Sequence, residues 1–444
     1  MVLLVSAGGV FEFYDLFFTA YVAPGMLKSG LFEPARLGFF ARFAPLGVAG
    51  FGTFVFATFA GLWCGVVAFG PLVDRLGRKR AYLGALAWYA ASTAVMAFRS
   101  SGESVNLWRF VAGIGFGVQL VTIDTYLSEI VPARLRGRAF SVNQVVSFAA
   151  VPLVALLAWQ LVPERILGLD GWRIVVLIGS FGALVVGLTA LRLPESPRWL
   201  ASRGREPEAW RILVALERAS GLEPAAAVAP AHPARLTRPA PRAAASLFDR
   251  RHRARTLMMS VFNVAQVIGF YGFNAWLPSL LIARGITVTH SLEYSFLIAL
   301  AQPVGPALGT AFADRFERRT QILAAVLVMG AAMSVFARLS SPAALIAVGI
   351  LFTLAANVMS YAYHNYQAEL FPTEIRARAV GFVYSWSRLA AAFSGLLVGY
   401  LLRTGGTAAV AAFVAGALAV GFVAIAAFGP RTRNLSLEAI DEAQ

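Results

Sequence analysis

The chain has 444 residues, of which 58% are hydrophobic and only 14% charged, whereas a soluble domain has roughly a quarter of its residues charged. That composition belongs to a membrane protein. The formal charge of +15 comes from basic residues separated by long apolar runs, which excludes the solvated basic face that nucleic-acid binding needs.

Taken in order, twelve stretches reach the ~20 apolar residues required to cross ~30 Å of hydrocarbon: 2–27, 47–69, 81–98, 105–128, 139–161, 173–191, 256–282, 292–312, 321–338, 342–366, 379–401 and 407–428. The first begins at Met1 and carries Glu12 and Asp15, with neither a positive leader nor a small-residue cleavage site. It is expected to stay as a transmembrane helix rather than leave as a signal peptide. Of the 38 Lys and Arg, 27 fall in loops on the even-numbered side of the spans and 9 on the other. With the long central loop discounted the split is still 14 against 9, which predicts that both termini are cytoplasmic. A bacterial inner membrane is the expected location.

Two loops recur at one offset. GPLVDRLGRKR at 70–80 answers GTAFADRFERR at 309–319, and LSEIVPARLRGR at 127–138 answers QAELFPTEIRAR at 367–378. Asp74, Arg75, Arg78, Glu129, Pro132, Arg136 and Arg138 thereby pair with Asp314, Arg315, Arg318, Glu369, Pro372, Arg376 and Arg378, every pair 240 residues apart. The spacing predicts an all-α membrane protein of two pseudo-symmetric six-helix bundles, a construction used by transporters, with the substrate site between the halves. The expected division is an N-terminal bundle at 1–192, a cytoplasmic linker at 193–255, a C-terminal bundle at 256–429 and a tail at 430–444. Within the linker, 206–219 has the pattern of a short amphipathic helix, and the Pro-, Ala- and Arg-rich 223–245 reads as flexible.

These motifs carry a family likeness. GPLVDRLGRKR, WRFVAGIGFG at 108–117 and PESPRWL at 194–200 together resemble the major facilitator superfamily along nearly the whole chain, PESPRWL being similar to sugar porters and metabolite:proton symporters. FEFYDLFF at 11–18 is similar to the aromatic-acid, phosphate and general metabolite symporter branches. Helix seven, NVAQVIGFYGFNAW, departs from glucose-type porters, and helix five lacks the Gly-Pro signature of drug exporters.

Ionisable side chains inside a bilayer are expensive and mark function. Glu12 and Asp15 stand three residues apart on neighbouring parts of one helix face, so they are not both expected to be ionised, which suits a proton carrier. The resemblance implies Arg109 as the partner of Asp15, making Asp15, Arg109 and Glu12 the proton-coupling candidates. Arg388, with Tyr384 one turn away and Trp386 nearby, is the candidate receptor for a substrate carboxylate. Asp124 and His364 occupy equivalent positions of the repeat and are alternative proton sites or hydrogen-bonded structural residues.

Polar stripes supply further substrate candidates: Gln119 on helix four, Asn143 and Gln144 on five, Asn263 and Gln266 on seven (Asn274 falling on the same side), Gln302 on eight, and Asn357, Tyr361, His364 and Asn365 on ten. Some of these are expected to join helices rather than bind substrate. For the gate, the resemblance implies charge networks across the inner ends of the two halves, formed by Asp74, Arg75, Arg78, Glu129 and Arg136 with Asp314, Arg315, Arg318, Glu369 and Arg376. Cys64 is the single cysteine, so no disulfide framework or cysteine metal site is expected, and no metal, cofactor or enzyme constellation appears. The expected activity is proton-coupled symport of a small polar organic solute, foremost an organic acid, by a monomer in the lipid bilayer. A sugar or polyol symporter and a non-transporting nutrient sensor are the alternatives.

Overall fold

A computed structural model describes residues 2–33, 38, 50–131, 136–219, 247–249, 252–307, 316–371 and 375–432. In the N-terminal half, α1 (Val2–Tyr21), α2 (Ala23–Lys28), α3 (Gly52–Leu76), α4 (Arg78–Ala97), α5 (Gly102–Ile130), α6 (Arg136–Phe148), α7 (Ala150–Leu161) and α8 (Gly171–Ala190) form six spans. Two of these spans are broken rather than continuous as expected. The first divides at Val22, with Pro24 in the opening turn of α2, and the fifth at Ala149. A proline lacks the N–H that a continuous helix needs, so it is tolerated only at such a new start. A two-residue hairpin, β1 (Arg165–Ile166) with β2 (Leu169–Asp170), joins α7 to α8.

The linker contributes α9 (Pro197–Ser202), capped by Ser196 Oγ accepting from Trp199 N at 3.2 Å, and α10 (Glu206–Ala219). The C-terminal half holds α11 (Arg253–Asn274), α12 (Leu277–Ile282), α13 (Val288–Ala299), a helical stretch at 304–307, α14 (Arg318–Phe336), α15 (Pro342–Glu369) and α16 (Arg376–Phe428). The backbone of α16 leaves helical geometry at Gly406 (φ 64°, ψ −161°), so α16 is two helices joined at a kink, and the spans read from sequence as 379–401 and 407–428 are its two arms. Among the described residues nine helices are long and apolar enough to cross a membrane by themselves. Counting the broken spans and the two arms of α16, the architecture is twelve helices in two bundles.

The same helix–helix contact is made differently in the two halves. In the N-terminal half α3 meets α5 through Gly61, Gly65, Gly113 and Gly117; a methyl at Gly117 would lie 2.3 Å from Leu62 O, and one at Gly61 2.2 Å from Phe110 O. At the equivalent place in the C-terminal half, Gln302 and Asn357, each 240 residues beyond Leu62 and Gly117, hydrogen-bond instead. Asn357 Nδ2 donates to Gln302 Oε1 at 3.0 Å, and Gln302 Nε2 to Asn274 Oδ1 at 3.0 Å. Because backbone cannot retreat as a side chain does, Gly117→Leu is expected to lower the thermal midpoint in detergent by the equivalent of at least about 1–3 kcal/mol. Gly84→Leu, where nothing lies within 4 Å of an added methyl, should leave it unchanged. Equal midpoints for the two variants would show that the α3–α5 contact has slack.

Candidate functional site

A cavity of about 470 Å³ lies between the halves, lined from α1, α5 and α6 on one side and from α11, α15 and α16 on the other. That volume is typical of a small-molecule site. Aromatic rings make most of its walls: Phe13, Phe17, Phe116, Phe140 and Phe148 from the N-terminal half, and Phe270, Tyr271, Tyr361, Tyr363 and Tyr384 from the C-terminal half. Phe17 meets Phe270 edge to face at 6.5 Å and Phe59 meets Tyr271 at 4.6 Å, so rings of opposite halves close one end. Beyond them, away from the repeated charged loops, Phe51 abuts Trp276 at 5.5 Å, and a methyl on Gly52 would lie 3.0 Å from Gly395 O. The halves are sealed together at that end.

Of the polar candidates, Glu12, Asn143, Gln144, Gln266, Tyr361, His364, Asn365, Tyr384 and Arg388 line the cavity, as does Asp124. Arg388 Nη2 donates to the Tyr384 hydroxyl, with the guanidinium carbon 4.7 Å from the centre of that ring. Arg388 Nε has no hydrogen-bond partner, and no carboxylate among the described residues pairs with it. Asn143 Oδ1 and Ser147 Oγ, also in the wall, are likewise buried without partners. His364 Nδ1 lies 2.7 Å from Ser360 O; a carbonyl only accepts, so Nδ1 carries the hydrogen, and Nε2 faces the Tyr363 hydroxyl at 3.2 Å. Gln266 Nε2 reaches that hydroxyl at 3.4 Å, and Asn365 Nδ2 bonds back to Tyr361 O.

Other candidates lie elsewhere. Asn357 and Gln302 pair with each other and with Asn274 inside the C-terminal bundle. Asn263 is buried and bonds to Met259 O one turn back, while Gln119 is buried beside Gly8. The expected common face of Asn263, Gln266 and Asn274 is therefore divided, only Gln266 reaching the cavity. Trp386 is 40% exposed on the outside of the bundle, and its ring meets Phe382 edge to face. Polar residues that avoid lipid turn into a bundle interior as readily as into a cavity, which is why polarity alone put these residues in the site.

Glu12 and Asp15 also separate. Asp15 turns into the N-terminal bundle, where Arg109 Nη1 donates to Oδ1 at 2.7 Å, both side chains being fully buried. Arg109 Nη2 reaches Asp15 O at 3.1 Å and Thr19 Oγ1 at 2.9 Å, and Nε reaches Thr58 Oγ1 at 2.8 Å. Phe18 and Phe54 cover the guanidinium at 4.7 and 5.3 Å. The pair thus ties α1, α3 and α5 together behind the wall that Glu12 faces. Asp15 Oδ2 has no partner.

At the end carrying the charged loops, Arg78 holds Glu129 in a fork, Nε to Oε2 at 3.0 Å and Nη2 to Oε1 at 2.9 Å. Arg318 and Glu369 pair at 3.5 Å at the equivalent place. Each pair lies within one half, where charge networks across the two halves were expected; among the described pairs the repeat has kept the same intra-bundle clasp twice. Glu195 of PESPRWL accepts from the backbone N–H groups of Arg78, Lys79 and Ser196 at 2.8, 3.1 and 2.8 Å, and the Tyr126 hydroxyl donates to Pro194 O. Gly77 lets the linker approach this closely, since its φ of 93° and the Glu195 carboxylate 2.5 Å from a would-be methyl both exclude a side chain. Arg75 is exposed. Asp314 and Arg315 lie outside the described residues, as do the side chains of Asp74, Arg136 and Arg376. Of the aromatic walls, sequence reading found Tyr361 and Tyr384 and missed the rest, because a Phe facing a cavity has the same spacing as one facing a neighbouring helix.

The family model described as "Sugar (and other) transporter" matches residues 1–443. Among curated relatives, the niacin transporter NiaP of Acinetobacter baylyi is 27% identical over 98% of this chain and 95% of its own. A gallate transporter of Pseudomonas putida is 27% identical over 89% of this chain and 84% of its own. Among solved structures, the xylose transporter XylE of E. coli in a partially occluded inward-open conformation superposes with a TM-score of 0.77 at 20% identity, covering 98% of each chain. The chain belongs to the sugar (and other) transporter family of the major facilitator superfamily, and is a multi-pass membrane transporter of small molecules rather than an enzyme.

Proposed function

We propose that the protein is a proton-coupled symporter of small aromatic carboxylates, working by alternating access across a bacterial inner membrane as a monomer with both termini cytoplasmic. The observation that carries this reading is Arg388: a buried guanidinium without a carboxylate partner among the described residues, in a cavity walled by aromatic rings. A buried cation without a direct ion pair is costly, and a substrate carboxylate would supply one with charge-assisted hydrogen bonds while its ring packs on Phe and Tyr faces. The names of two relatives, for niacin and gallate, both concern ring acids. Proton coupling is assigned to the Asp15–Arg109 pair, whose breaking and remaking would bias the packing of α1 against α3 and α5.

The decisive measurement is uptake of radiolabelled niacin and gallate, with xylose alongside, into proteoliposomes with an alkaline interior and protein-free liposomes as background. Uptake of a ring acid above background, abolished by a protonophore, is expected. Accumulation of xylose instead would establish the sugar alternative, supported by PESPRWL and the family model, and binding without any flux would establish a sensor.

A further inference from the structure

The charged groups of the cavity are sorted by half. Glu12 and Asp124 stand on α1 and α5 of the N-terminal bundle, Arg388 on α16 of the C-terminal bundle. Neither acid makes a hydrogen bond or ion pair with another described residue, and Asp124 is exposed to the cavity. Around Arg388 the C-terminal wall presents the hydroxyls of Tyr271 and Tyr384, with Tyr363 and His364 on the adjoining helix. The walls therefore carry opposite polarity across the gap that a substrate fills. A purely anionic ring acid seated on Arg388 would leave two carboxyl groups facing it with no positive group between them, and like charges facing one another repel.

Resting on the reading above, we propose that the site is dipolar and selects amphoteric aromatic acids, with a carboxylate at one end and an ammonium or protonated ring nitrogen at the other. The carboxylate is held by Arg388 and Tyr384, and the nitrogen by Glu12 and Asp124. Because the two ends are gripped by different bundles, such a substrate joins the halves, whereas a simple anion engages one of them.

The test is isothermal titration calorimetry of the purified full-length protein with benzoate, benzylammonium and meta-aminomethylbenzoate, which share a ring and differ in their charged ends. The expected result is a Kd for meta-aminomethylbenzoate at least about tenfold below those of both single-ended probes, the gain usual for a desolvated charge pair. Asp124→Asn and Glu12→Gln should each remove most of that advantage while benzoate binds unchanged or more tightly, a pattern that mere loss of structure cannot produce because it would weaken every probe. Benzoate binding as tightly as meta-aminomethylbenzoate in the unmodified protein overturns the dipolar site and leaves the aromatic-acid reading standing. Binding of none of the three overturns both, and the comparison in the unmodified protein decides even if a variant fails to fold.

Discussion

Arg109→Gln is expected to abolish gradient-driven uptake and to lower the thermal midpoint sharply, by the equivalent of about 3–5 kcal/mol, because it leaves the Asp15 carboxylate buried without its cation. Asp15 is fully buried, and Arg109 provides both its short ion pair and a contact to its backbone carbonyl. Asp15→Asn should be destabilising for the converse reason. The double variant removes both charges together and is expected to recover much of the midpoint while gradient-driven uptake stays lost. A double variant as unstable as Arg109→Gln would mean that the guanidinium acts there by packing against Phe18 and Phe54. Recovery of gradient-driven accumulation would reject the proton-coupling role.

For Arg388 the opposite pattern is expected. Arg388→Met should leave the ligand-free midpoint unchanged or raise it, because a buried cation with no direct ion pair is replaced by an apolar side chain of similar length. Binding of niacin or gallate should weaken by about 2–5 kcal/mol, a loss of roughly thirtyfold or more in Kd, since the substrate carboxylate would lose its partner. Arg388→Lys should fall between, retaining charge and losing the planar fork that matches a carboxylate. Thermal shift with and without ligand reads both quantities in one experiment. A marked fall in the ligand-free midpoint of Arg388→Met would show that this side chain serves the fold.

The fold was legible because its signals are long: twelve apolar runs and a repeat of seven charged or proline positions at one offset leave few architectures. Pairing Asp15 with Arg109 needed the family likeness, since 94 residues separate them and periodicity is silent at that range. The cavity was half legible. Polar residues on a transmembrane helix announce that they avoid lipid, so Gln266 and Asn365 were found together with Asn263 and Asn357, although only the first two face the substrate gap. Glu12 and Asp15 illustrate the limit of helical phase. Three residues apart, they are neighbours on a helical wheel, yet one faces a cavity and the other a bundle interior, because α1 packs on both sides of that boundary.

The two versions of the repeated helix contact differ in how they yield to force. A glycine-to-backbone contact is held by dispersion, which resists separation but has no directional requirement, so α3 can slide along α5 without breaking a specific bond. The Asn274–Gln302–Asn357 chain has fixed donors and acceptors, and any slip breaks a directional bond before a new one forms. One bundle therefore behaves as a compliant bearing and the other as a rigid strut. Such an asymmetry lets a duplicated protein move without its halves deforming equally, and amide exchange during transport should be faster along α3 and α5 than along α15.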